Sequence, residues 1–161
     1  MAYASQELKA KVIGLIKDYA KEAGVQLKIN SKIHHHSSLK VNISACSIDL
    51  RANMIETLEK RLEAFKAEGN YSVSEFNSAS KMLEKTKNMT AEYMETYGIG
   101  FNLHYLNHFF SGDALALIQG MIKAIKCDHY NHSDPTTDYF NVAYYWELTI
   151  GKNKGGLALK S

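Results

Sequence analysis

The chain has little of what usually declares a function. Its two cysteines, Cys46 and Cys127, stand far apart with no C-x-x-C. That spacing excludes a paired thiol motif, and both are expected to be reduced thiols. A single proline and 10 glycines in 161 residues exclude a low-complexity or collagen-like chain. No window approaches the ~18 consecutive apolar residues of a membrane span, and the N-terminal MAYASQELKAKV lacks the apolar run of a signal peptide. A cytoplasmic protein with no membrane partner is therefore expected. A formal net charge of +2 is too small to imply nucleic-acid binding by itself. H-E-x-x-H and G-x-x-x-x-G-K-[ST] are both missing, so neither a zincin helix nor a P-loop is encoded.

What is present is periodicity. From Thr137 to Lys152, Phe140, Val142, Tyr144, Trp146, Leu148 and Ile150 recur at every second position, the mark of a strand with one buried face. Leu8, Val12, Leu15, Ile16 and Tyr19 fall at helical spacings within Ser5 to Ala23, with Ser5 as N-cap and Gly24 closing the end. Val25 to Ile33 and Leu39 to Leu50 alternate apolar and polar residues around His34-His35-His36-Ser37-Ser38, which reads as a hairpin. Helices are expected from about Asn53 to Glu68, from Ser74 to about Met94, and from Ser111 to Lys126. Ile99, Phe101, Leu103 and Tyr105 alternate between Tyr97 and Phe110, favouring a further strand. The expected architecture is a single α+β domain over residues 1–152, a four-stranded, mostly antiparallel sheet with helices on one face. Residues 153–161 are expected to be a flexible tail.

Several residues could carry chemistry. His34, His35 and His36 are potential imidazole ligands, but three neighbours at a turn cannot all reach one metal, so a solvated tip is the simpler account. His129, His132, Asp134 and Asp138 crowd one loop without the fixed spacing of a zinc site. Cys46 beside His104 has no orienting carboxylate or oxyanion donor to complete a nucleophilic set. No catalytic residue, metal or cofactor is assigned. The outer sheet face is the better surface: Lys28, Lys32, Lys40, Asn30, Asn42, Asn102, His104, Tyr145 and Thr149 would project from it, with Glu147 among them. Basic and amide groups around an aromatic suit phosphate contacts and base stacking.

The runs FNLHYLNHFFSGDALALI and DHYNHSDPTTDYFNVAYYWELTIGK, with GVQLKINSKIHHHSSLKVNI and SACSIDL in the first half, resemble segments of small phage, prophage and plasmid proteins. The named family they are similar to is the large polyvalent protein-associated domain 29, an accessory domain of mobile elements. The chain departs from that pattern after the last strand. There a tryptophan-aspartate-lysine-proline turn is expected, and Gly151-Lys152-Asn153-Lys154-Gly155 stands instead.

The resemblance implies a non-enzymatic accessory protein, of the kind that includes anti-CRISPR inhibitors, whose partner is a host defence protein or nucleoprotein complex. The expected contacts are Lys28, Lys32, His34, His35, His36, Lys40, Asn102, His104 and Tyr145. Two other readings stay open: a nucleic-acid-binding accessory protein, and a metal-dependent hydrolase built on the His129 loop. Aromatic residues near Tyr105 to Phe110 add the expectation of a homodimer.

Overall fold

The computed structural model describes residues 2–129, 143–154 and 156–159. Helix α1 (Gln6–Glu22) is capped by Ser5, whose hydroxyl accepts a 3.0 Å hydrogen bond from the Leu8 amide, satisfying one of the free donors of the first turn. Leu8, Val12, Ile16 and Ala20 form its buried stripe. Strands β1 (Leu27–His34) and β2 (Ser38–Cys46) pair antiparallel, with a bulge between Lys28 and Ile29. The chain then runs through helices α2 (Leu50–Glu68), α3 (Val73–Lys87) and α4 (Ala91–Tyr97), a 3-10 segment (Leu103–His108) and helix α5 (Gly112–Ile125). Strands β3 (Tyr145–Ile150) and β4 (Ala158–Leu159) complete a four-stranded sheet.

β2 is the centre of that sheet. Leu39, Val41 and Ile43 are almost wholly buried, as are Leu148 and Ile150 of β3. Together they pack into one cluster with side chains of α1, α2 and α5. The opposite face of the same strands carries the polar residues, so the α+β reading with one helix-covered face holds. The alternation from Tyr144 to Ile150 is observed as burial on one side, with Tyr144, Leu148 and Ile150 buried and Tyr145 exposed. Phe140 and Val142 lie outside the described residues.

Four features differ from the sequence reading. First, the sheet is mixed: β3 and β4 both run parallel to β2. The long helical connection from Leu50 to Ile125 supplies the crossover that parallel pairing requires. Second, residues 97–110 form no strand. β1 occupies one edge of β2, while β3 and β4 share the other, so the segment has no edge of β2 left to join. It contributes one backbone bond, from the Ile99 amide to the Ile150 carbonyl at 2.8 Å. The Asn102 side chain accepts from the His104 amide at 2.9 Å and winds the chain into a 3-10 turn. Its alternation reported burial (Ile99, and Phe101 edge-on to Phe110) and not extended pairing.

Third, the helix expected from Ser74 to Met94 breaks. The Thr90 hydroxyl accepts from the Tyr93 amide at 3.1 Å and starts a new helix. The Arg51 guanidinium donates to the Thr86, Lys87 and Met89 carbonyls at the break, satisfying orphan acceptors that end α3. Fourth, Ala158 and Leu159, placed by the sequence in the tail, pair with Ala45 and Cys46.

Candidate binding face

Register places the outward side chains of the sheet in rungs three residues wide. His34, Ser38 and Tyr145 form the rung at the hairpin end. Lys32, Lys40 and Glu147 form the next, and Asn30, Asn42 and Thr149 the third. Lys28 and Ser44 lie beyond, where the Ser44 hydroxyl donates to the Lys28 carbonyl at 3.2 Å. Among the described residues no helix of those packed in the core lies on this face, its Ser44 end is bordered by Asn153 and Lys154, and Tyr145 at the other end is 52% exposed.

The second rung sets two like charges directly opposite one another, which costs stability on a sheet. Glu147 relieves part of that cost through a 3.6 Å contact with Lys40. Lys32, Lys28, Lys152 and Lys154 have no ion-pair partner among the described residues.

The third rung is the hub. The Asn42 Oδ1 accepts from the Thr149 hydroxyl at 2.7 Å and from the Lys152 amide at 3.0 Å. A backbone amide can only donate, so this bond fixes which end of the side chain is oxygen. The Asn42 Nδ2 is then left buried with no hydrogen-bond partner among the described residues. A cavity of about 420 Å³ opens above, lined by the second and third rungs with Lys152 and Asn153. A smaller hollow of about 220 Å³ shares Asn30 and Asn153 and continues past Lys28 to Lys154.

Charge on the molecule is segregated by this arrangement. The face holds Lys28, Lys32, Lys40, Lys152 and Lys154 against Glu147, a net +4 within a chain whose total is +2. The rest of the chain is net acidic.

Of the residues expected at the site, Lys28, Lys32, Lys40 and Tyr145 share the face and His34 stands at its end. His35 and His36 form the turn itself, both with positive φ (51° and 59°), as a primed hairpin turn requires of its two central residues. Burial and then the neighbouring His35, Lys40 and Lys32 charges hold His34 below the usual imidazole range. Asn102 and His104 are not on the face: with no third strand at 97–110, Asn102 caps the 3-10 segment and His104 lies within it. Lys152, Asn153 and Lys154 were missed, because the glycine-rich stretch after a strand read as a free end.

The remaining candidates separate. Cys46 is fully buried among core residues, and burial pushes its thiol up. It does not lie on the polar face beside His104, because the bulge at Lys28/Ile29 brings Cys46 into register with the inward Leu27 and leaves Ala45 opposite Lys28. His129 packs edge-on against Tyr144, with ring centroids 5.1 Å apart; His132, Asp134 and Asp138 lie outside the described residues. No group of three His, Cys, Asp or Glu residues is placed to hold a metal among the described residues. Phe110 is wholly buried and belongs to the core, while Tyr105 is exposed. No helix among the described residues is long and apolar enough to cross a membrane. No family model, curated protein or solved structure matches the chain.

Proposed function

We propose that this chain is a non-enzymatic accessory protein of a mobile element that acts in the host cytoplasm. It inhibits a host defence nucleoprotein complex by laying its open sheet face against the nucleic acid of that complex. The observation that carries the binding mode is the segregated charge: +4 on one polar sheet face of a chain whose remainder is net acidic. Lys28 and Lys32 are roughly 13 Å apart along β1, so the cations form a strip, which suits a phosphate backbone. Tyr145 at the end of the strip offers a ring for base stacking. The resemblance to mobile-element accessory proteins supplies the biological setting.

The test is binding of fluorescent single-stranded and duplex oligonucleotides at two salt concentrations, with a pull-down from host lysate alongside. Five lysines releasing counterions from a single strand predict a slope of log K against log salt of about −3.5. Reversal of Lys28 and Lys154 to glutamate should flatten that slope and lose the captured complex. Salt-indifferent or undetectable binding overturns the phosphate-driven mode.

The same charge segregation favours a second reading, a nucleic-acid-binding accessory protein with no protein target. It predicts the same slope, but a captured fraction that disappears on nuclease treatment and no change in host defence in cells.

A further inference from the structure

The face carries one polar group that folding alone does not explain. An Asn whose oxygen ties β2 to β3 and to the Lys152 amide needs only that oxygen. Its Nδ2 is nevertheless buried without an acceptor among the described residues, an arrangement that ordinarily destabilises a fold. With Oδ1 committed to Thr149 and Lys152, the planar amide turns its NH₂ group away from them, and Asn42 lines one cavity together with Lys32, Lys40 and Lys152. Three lysines thus stand around the cavity against one carboxylate, that of Glu147, which lies 3.6 Å from Lys40.

We propose that this cavity is a seat for one phosphate group. The ammonium groups of Lys32 and Lys152 supply charge from two sides, and the Asn42 NH₂ supplies the fixed neutral donor at the floor. Lysine is a mobile point charge, whereas an amide held by two bonds has one orientation; the lysines attract the anion and Asn42 sets its position. Entry requires the side chains around the amide to move apart, since Nδ2 is shut off from solvent. Glu147 opposes the anion, and Lys40 holds it aside. The cavity of about 420 Å³ takes a mononucleotide-sized group, so the phosphate can come from a nucleic-acid backbone or from a free nucleotide. The seat rests on the reading of the sheet face as the docking surface.

The experiment is a titration of the ¹⁵N-labelled full chain with inorganic phosphate, thymidine 5′-monophosphate and a short oligothymidylate, following the Asn42 side-chain amide. Asn42→Asp keeps the acceptor for Thr149 and the Lys152 amide but replaces the NH₂ donor by a charge that repels phosphate. It should still fold, at a lowered melting temperature because a carboxylate oxygen takes the position shut off from solvent, and weaken phosphate binding at least tenfold. Glu147→Gln should tighten it severalfold. Saturation by the mononucleotide as well as the oligonucleotide identifies a free-nucleotide seat, and saturation by the oligonucleotide alone identifies a backbone seat. Equal affinity of Asn42→Asp and the wild type, or shifts that avoid Asn42 and Lys152, overturns the seat. That failure is separable from failure of the docking face, because Lys28→Glu with Lys154→Glu tests the face outside the seat.

Discussion

Gly120 offers a test of how α1 and α5 are joined beneath the sheet. It sits inside α5, where glycine ordinarily costs about 1 kcal/mol against alanine. On propensity alone Gly120→Ala would stabilise the protein. A Cβ at this position, however, would overlap the Cε1, Cζ and Cδ1 atoms of the Tyr19 ring. That ring is not free to yield, because its hydroxyl donates to the Ala116 carbonyl at 2.9 Å. Displacing it adds about 1–3 kcal/mol of overpacking and forfeits a hydrogen bond worth about 1 kcal/mol. The net expectation is a loss of about 1–3 kcal/mol, a fall of several degrees in Tm for a chain of this size. In a Tyr19→Ala background the obstacle is gone and the sign reverses: Gly120→Ala should then add up to about 1 kcal/mol. Urea unfolding of the four proteins closes the cycle, with an expected coupling of about 2–4 kcal/mol. Additivity within about 0.5 kcal/mol would refute the packing argument.

Arg51→Met keeps the aliphatic stem but abandons three carbonyls at the α3–α4 break; a loss of about 2–3 kcal/mol by urea unfolding is expected, and Arg51→Lys should recover only part of it. Burial pushes the Tyr144 hydroxyl from 10.0 up to about 12, and it donates to the Ile125 carbonyl at 2.7 Å. A raised folded-state pKa means stability present below the unfolded value and lost between about pH 10 and 12. The wild type should therefore exceed Tyr144→Phe by about 1–2 kcal/mol at neutral pH, with the gap closing in that alkaline window; a constant gap would refute this. Burial lowers the pKa of His34, His108 and His129 below the ordinary 6.5. Depressed pKa values give a contribution present above that value and lost as pH falls through the folded ones, so the urea midpoint should drop on acidification below about 6.5. Gly151→Ala should expose the Lys152 amide to hydrogen exchange, whereas Gly69→Ala, equally left-handed but with open space around it, should leave that amide protected; equal exchange in the two variants would count against the positioning of Lys152.

Those parts of the fold whose signals are local were readable in the sequence. α1, α5 and the β1–β2 hairpin each bury a stripe or a face against a continuous neighbour, so their periods survive folding intact. The direction of β3 was not readable. Alternation from Tyr144 to Ile150 states that one face is buried but is silent on which strand lies alongside and which way it runs. Residues 97–110 show the converse error. Ile99 and Phe101 are packed inward, but period-two burial over a few residues also arises in a loop held against the core. That error carried Asn102 and His104 onto a sheet face they do not share. Thr90 was the overlooked signal for the α3–α4 break, since a threonine ahead of Ala91-Glu92 is an N-cap pattern.

The most consequential misreading concerns the glycines after β3, and it shows why the site itself was only half legible. Gly151 and Gly156 both have positive φ (75° and 67°), and a Cβ on either would come within 3.0 Å of the Met94 Sδ. The Leu157 amide also donates to that sulfur at 3.4 Å. These glycines therefore mark close approach to a buried methionine of α4, not a loose end. Clasped there, the chain leaves the edge of β2 at Ile43, where the Gly151 amide donates to its carbonyl at 2.8 Å. It regains the same edge at Ala45. Between these two points Lys152, Asn153 and Lys154 line the hollows of the polar face, which is how they join lysines from β1 and β2. No local pattern encodes that meeting, because its determinant, Met94, lies more than fifty residues earlier in the chain. The cations of the face are thus held together by the hydrophobic core on the other side of the sheet. Core substitutions at Met94 should accordingly alter binding at a surface the methionine never touches.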